Sequence, residues 1–365
     1  MLKKVLFWGI TLSIPFIFLL ACILGYYAYH KIKYNDKYCG SFAQIDAQAG
    51  WVLKNNASSC YGFWESSNGT RRGFSSTVFT DRNGFRAAAA GGNTAREGIM
   101  VVGDSWTFGH GVDYEQSFPA QLAGRTQTGV VAVASPGYGA AQALVLAERW
   151  VESLSPKIII YLDIGHWQRS ACTGSTRPHY ILKPCYWENP NTSKAELVVP
   201  PADFVSTAAA WGVKPGGMLG AGEAGWDYFL ISRPVLRVLG LLARTGLMSG
   251  MAHDFRAVAV DGLVIRQGVV DHLVRLSVRS GAPVWLLDPG DAYAAFDTQL
   301  SALPGPPVVR IGRAQWSKNV LAPASKLPED QQRVPLDGHF GPGTNALIAA
   351  YLTRLLDETT ASTSN

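Results

Sequence analysis

The chain has no basic block. Its 32 Lys and Arg against 27 Asp and Glu leave a net charge of +5, spread thinly. A nucleic-acid partner would need those cations gathered into a stripe, so none is expected. Charge of either sign is scarce, at 16% of residues, where about 25% is usual for a soluble domain. Cysteine is scarce too. There are five, and no two stand in Cys-x-x-Cys spacing, which argues against a zinc site. No metal and no organic cofactor is expected.

Apolar residues are abundant, at 47%. Part of the excess sits at the N-terminus, where Lys3 and Lys4 precede an uncharged run from Val5 to Tyr29. About 20 apolar residues suffice to span a bilayer as a helix, and Tyr26, Tyr27 and Tyr29 would sit at an interface. The expectation is an uncut transmembrane anchor over residues 1–35. A cleaved signal peptide and a lipoprotein box at Leu19-Leu20-Ala21-Cys22 are alternatives. The run continues past Cys22 and has no clear small-x-small cleavage site. Cys39, Cys60, Cys172 and Cys185 then fall into two local pairs. An even number in an exported domain fits disulfides, so Cys39–Cys60 and Cys172–Cys185 bridges and an extracytoplasmic domain (periplasmic or cell-surface) are expected. Four unrelated buried thiols are the alternative.

Residues 36–95 are rich in Gly, Ser and Asn and weakly patterned, as in a stalk followed by a β-rich lead-in. From residue 96 the pattern changes. Short apolar runs alternate with helical spacing, which predicts βαβ units and a mostly parallel sheet. The predicted strands are 99–102, 130–134, 157–162, 283–287 and 308–311. The predicted helices are 118–124, 140–154, 262–280 and 345–357. An insertion over about 165–260 interrupts a domain that spans 96–358, and 359–365 is expected as a disordered tail.

In a parallel sheet, the loops after the C-terminal strand ends converge. The first loop carries Gly103-Asp104-Ser105, the second Gly137, and the third His166. Asp337 and His339 stand just before the last helix. A serine hydrolase needs a nucleophile, a histidine to take its proton, a carboxylate to orient that histidine, and oxyanion donors. All four kinds are present at these loops. The other histidines, His30, His110, His179, His253 and His272, are scattered and read as structural or exposed.

The blocks "VVGDSWTFGHGV", "SPGYGAAQ" and "LDGHFGPGTNALIA" resemble, in order, the first, second and last signatures of the SGNH, or GDSL-like, hydrolase superfamily. The lead-in "GWVLKNN" with "FTDRNGFR" is similar to the segment that precedes the catalytic domain in its membrane-anchored members. The resemblance implies an α/β fold: a flavodoxin-like doubly wound sheet of about five mainly parallel strands, behind an N-terminal transmembrane helix. It implies Ser105 as nucleophile, His339 as general base and Asp337 as its orienting acid. The backbone N–H groups of Ser105 and Gly137 would form the oxyanion hole, with Asp104 anchoring the turn. Two departures stand out. His166 and Trp167 occupy the place of the family's Asn-Asp, so His166 would be a substitute donor. Asp337 and His339 are two apart, where three is common.

Trp106 and Trp167 directly follow two of these residues, and aromatic faces suit sugar rings. The expected activity is that of a serine esterase, removing or transferring a small O-acyl group such as acetyl on an extracytoplasmic glycan. Its partners would be an acylated carbohydrate or small ester and the membrane, with a partner in a membrane complex left open. Two alternatives stay open. One is an O-acetyltransferase supplied by a membrane acyl donor. The other is a noncatalytic glycan-binding or assembly subunit that keeps the fold.

Overall fold

The computed structural model describes residues 21–22, 24–25, 34–39, 42–67, 70–91, 94–165, 167–170, 184–189, 191–199, 262–302 and 306–363. Most of the expected anchor lies outside these residues. Among those described, no helix is long and apolar enough to cross a membrane. His166, Cys172 and the insertion from 200 to 261 also lie outside them.

At the centre is a five-stranded sheet built from β7 (Ile99–Gly103), β8 (Val130–Ala134), β9 (Ile158–Leu162), β12 (Val284–Leu287) and β13 (Val308–Ile311). Every pairing is parallel. The spatial order is β13-β12-β9-β7-β8. Counting only these strands along the chain, that is 2-1-3-4-5 read from the other edge, the flavodoxin-like arrangement.

Strands β7, β9 and β12 are buried along their whole length. Their near-continuous apolar character follows, because a sheet covered on both faces has no solvent side. Alternate residues serve the two faces. Met100, Val102, Ile159, Tyr161, Val284 and Leu286 join one core cluster, while Val101, Ile160, Leu162, Trp285 and Leu287 join the other.

Helices cover each face. The short α1 (Ser105–Phe108) follows β7, and α2 (Phe118–Thr126) lies further along. α3 (Ala140–Leu154) and α4 (Gly262–Ser280) supply the first cluster with Leu144, Val151, Val269 and Leu273. α2 and α5 (Pro342–Thr363) supply the second with Leu122, Ile348 and Leu352. α5 begins on Pro342, whose missing N–H is no loss at a helix start. It outruns the pattern over 345–357 and takes in residues 359–363 of the expected disordered tail. There Thr359 and Thr360 hydroxyls donate to the carbonyls of Leu355 and Leu356.

The lead-in forms β1 (Tyr34–Tyr38), β4 (Ser58–Ser67), β5 (Thr70–Thr80) and β6 (Arg86–Ala87) as one antiparallel sheet. β2 (Ala43–Asp46) and β3 (Gly50–Leu53) form a separate hairpin. From Phe42 onward these residues share the first core cluster instead of standing apart as a stalk. Phe42 stacks on Phe108 with ring centroids 5.9 Å apart, and Phe85 packs on Trp150 at 5.0 Å.

Cys39 and Cys60 are disulfide-bonded with their Cα atoms 4.9 Å apart, within the normal range. Cys185 is also disulfide-bonded, to a partner outside the described residues. The described part of the insertion is a hairpin of β10 (Cys185–Asn189) and β11 (Lys194–Val198). It seats on α4, where buried Tyr186 Oη lies 3.1 Å from Nδ1 of buried His272.

Candidate active site

β7 ends at Gly103, and a side chain there would collide with Thr107 Oγ1 at 2.2 Å. The chain therefore turns at once into α1. Asp104 caps it, its carboxylate accepting from the Trp106 N–H at 3.0 Å. Arg169 holds the other carboxylate oxygen at 3.4 Å. Asp104 thus fixes the turn, and Ser105 becomes the first helical residue, 4% exposed. At that position its N–H has no intrahelical acceptor.

The histidine arrives from the other end of the chain. Val334 and His339 close a turn, the Val334 N–H donating to the His339 carbonyl at 2.8 Å. Leu336 and Gly338 have left-handed backbones, φ 66° and 88°. That double reversal lets Asp337 reach His339 over a spacing of only two residues. Buried Asn345, in the first turn of α5, bolts this loop down. Its amide donates to the carbonyls of Phe340 and Gly341, and its oxygen accepts from the Phe118 N–H that opens α2.

The outcome is a relay. Ser105 Oγ lies 2.7 Å from His339 Nε2, and His339 Nδ1 is hydrogen-bonded to Asp337 Oδ1. With a carboxylate at Nδ1, the imidazole proton sits there and Nε2 is left to accept from the serine hydroxyl. Burial pushes the Asp337 carboxyl up. The two histidines beside it, His110 and His339, outweigh that and hold it well below the usual carboxylate range. Asp337 is therefore ionised throughout the neutral range.

Gly137 sits in the turn after β8, and the pairing of Gly103 with Ala134 sets that turn beside the exit of β7. Its φ of 84° lies in the left-handed region, where an L side chain is strained. The next residue, Tyr138, is anchored by a 2.9 Å bond from its hydroxyl to the Trp51 carbonyl, so the lead-in hairpin supports this loop. Trp167 opens a single turn after β9. His166, its neighbour, lies outside the described residues. The Trp106 ring packs on His339 and Phe340, with centroids 4.7 and 4.4 Å away. It forms a wall of the site.

Three groups at or near the site were not marked by the sequence pattern. Asp163 follows β9 and accepts from Tyr293 Oη and from the Gly165 N–H. Burial pushes its carboxyl up. The Tyr293 and Gly165 bonds oppose this, and Asp104 and Asp288 reinforce it. It lines a cavity of about 20 Å³ with Asp104, Tyr138 and Gly139, room for about one water. Arg86, at the end of the "FTDRNGFR" block, is buried and donates to the carbonyls of Phe108, Gly109 and Val112 at 2.5–2.6 Å. Burial pulls its guanidinium down only to about 10, so it stays charged. The third group is His110, whose Nε2 is 3.6 Å from Asp337 Oδ2. Its position in a glycine-flanked loop next to the serine was the one available signal.

His110, Asp337 and His339 place ligand-type atoms within 4.8 Å of one another. In this arrangement His339 Nδ1 and Asp337 Oδ1 are already hydrogen-bonded to each other.

No protein-family model matches the chain, and no curated protein does. Three solved structures show a remote similarity to the chain. One is an acetyl xylan esterase from the rumen bacterium Butyrivibrio proteoclasticus, 10% identical, with a TM-score of 0.36 over 90% of this chain and 99% of that one. Another is a carbohydrate esterase whose active site has divergent catalytic and non-catalytic binding functions, 10% identical, TM-score 0.33, covering 89% and 98%. The third is a protein from Slackia heliotrinireducens provisionally described as an SGNH hydrolase, 12% identical, TM-score 0.23, covering 72% and 98%. These likenesses are remote.

Proposed function

We propose that the chain is a serine esterase of SGNH type that removes or transfers a small O-acyl group, such as acetyl, on an extracytoplasmic glycan. The observation that carries this reading is the Ser105–His339–Asp337 relay at the C-terminal edge of a parallel sheet, where open α/β folds place their sites.

His339 Nε2 takes the serine proton as Oγ attacks the ester carbonyl. The alkoxide of the tetrahedral intermediate rests on the Ser105 and Gly137 N–H groups, with His166 as a third donor. Each such donor is worth about 10²–10³ in turnover. As the intermediate collapses, His339 returns the proton to the leaving alcohol and an acyl-serine remains. Water or a second sugar hydroxyl then gives its proton to His339 and takes the acyl group. Trp106 and Trp167 would face the sugar. Cys39–Cys60 supports an oxidising compartment, and the run over residues 5–29 would tether the domain to its membrane.

The test is hydrolysis of p-nitrophenyl acetate and of an acetylated glycan by the full chain, made in an oxidising compartment, beside Ser105→Ala and His339→Ala. Loss of turnover and of fluorophosphonate labelling in both variants is expected. A folded wild type no faster than its variants on either ester, and not labelled at Ser105, would overturn the reading.

A further inference from the structure

We propose that His110 is a positioning residue for the relay: it holds the outer oxygen of Asp337 so that the inner one stays aimed at His339. The inference rests on the reading of Ser105, His339 and Asp337 as a catalytic relay.

An orienting carboxylate is normally fixed by donors on both oxygens. Asp337 has few. Oδ1 faces His339, and Oδ2 faces His110 Nε2 at 3.6 Å. Among the described residues no other donor reaches this carboxylate. Its side chain is 25% exposed and stands on a turn with a left-handed non-glycine residue. Without a second contact it could rotate toward solvent and release His339. The 3.6 Å separation is too long for a hydrogen bond, but catalytic contacts often lengthen in free enzymes and tighten when substrate binds.

His110 is built into that place. Gly109 and Gly111 flank it with φ of 77° and 83°. A Cβ on Gly111 would meet Val334 at 2.5 Å, in the strand of chain that leads to Asp337. Arg86 clamps the same loop by its carbonyls on either side of His110. Tyr61 and Phe74 of the lead-in sheet pack on the imidazole, with centroids 4.5 and 6.0 Å away, and the His339 ring lies 4.6 Å away.

The groups facing His110 are therefore Asp337, His339, Arg86 and Tyr61, with Phe74 as the apolar wall. Nδ1 is buried without a hydrogen-bond partner. The carboxylate can only accept, so the single proton belongs on Nε2. Burial, with His339 and Arg86 close by, disfavours a second proton against the pull of Asp337. His110 is thus a neutral donor that steadies Asp337 without competing for its charge.

The experiment compares the full-length wild type with His110→Gln, His110→Phe and His110→Asn. It measures kcat and KM for p-nitrophenyl acetate across pH, with folding checked by circular dichroism. Gln can present an N–H where Nε2 stands; Phe keeps the ring without a donor; Asn is too short to reach. His110→Phe is expected to lose about 10–100-fold in kcat, the worth of one hydrogen bond to a charged group, with KM within about twofold. His110→Gln should keep most of the turnover. If His110→Phe does not fold, the contrast between Gln and Asn decides the matter.

Wild-type kcat in a folded Phe or Asn variant would overturn the inference, as would equal losses in Gln and the others. A wild type with neither turnover nor Ser105 labelling overturns the relay itself, and this inference with it.

Discussion

Ser105 Oγ and His339 Nε2 lie 2.7 Å apart although 234 residues separate them in the chain. Two independent anchors create that meeting. The serine is placed by β7, an interior strand whose neighbours β8 and β9 bury it from both sides. The histidine is placed by the docking of α5 on α2, locked by the buried amide of Asn345. The lead-in sheet adds a third support, since Arg86 and Tyr61 fix the loop between Ser105 and His110.

Asp337→Asn should separate orientation from fold. An asparagine fits the same space but can present its NH₂ to Nδ1, which favours the wrong tautomer of His339. The expected loss is about 10⁴-fold in kcat with KM little changed. Steady-state kinetics on p-nitrophenyl acetate read it. A loss below about tenfold would mean that Asp337 does not orient the base.

Arg86→Met should destabilise the molecule by at least about 3 kcal/mol. The substitution keeps an apolar stem over Phe108 but removes the donors from three buried carbonyls, each costing about 1–3 kcal/mol when left unmade. The midpoint of urea unfolding measures it. A change under about 1 kcal/mol would show that water takes over the carbonyls of Phe108, Gly109 and Val112.

Much of the sheet is legible in the sequence because strands such as "IIIYL" and "VWLL" have no solvent side and so read as unbroken apolar runs. Ser105, Gly137, Asp337 and His339 stand out in the sequence for a different reason: each is placed near the end of a strand or the start of a helix, in a setting that only a few chemistries share. His110 was not marked, because its partner Asp337 is 227 residues away in the numbering and nothing local reveals the contact. Arg86 stands at the end of "FTDRNGFR", yet its role depends on carbonyls, which no side-chain pattern displays. The lead-in looked weakly patterned because its strands are antiparallel and share their buried face with the main core. Their apolar residues therefore alternate with Ser, Thr and Gly.

Replacing Cys39 and Cys60 together by serine should cost about 3 kcal/mol, the chain entropy of closing a loop over their 21-residue separation. The bridge ties the end of β1 to β4, where the Cys39 N–H also donates to the Cys60 carbonyl at 2.9 Å. It does not touch the relay. Thermal unfolding should therefore shift while kcat at 25 °C stays within about twofold. A variant of unchanged stability would mean that β1 is held by its ladder alone. A variant that loses turnover while folded would place β1 in the working site.

The two groups that flank His339 should titrate stability in separate pH windows. Burial, helped by His339 and Arg86, holds the His110 imidazole below its ordinary value, about 6.5 when unfolded. Above that pH both states leave it neutral and it adds no slope. Below it the unfolded chain takes up a proton that the folded chain resists, so wild-type stability falls as pH falls. Asp337 behaves differently. Its folded value is depressed by His110 and His339 against the pull of burial, so its contribution is full above about 3.9 and is lost only at lower pH. Urea unfolding of wild type, His110→Gln and Asp337→Asn from about pH 7.5 down to about pH 4.5 distinguishes the two. Relative to His110→Gln, the wild type should lose up to about 1.4 kcal/mol per pH unit once below about pH 6.5. Relative to Asp337→Asn, Asp337 itself should add almost no slope in that window, because it is ionised in both states there. A flat difference between wild type and His110→Gln would mean that His110 accepts its proton as readily in the folded chain as in water. It would then be a cation paired to Asp337 and not its neutral donor.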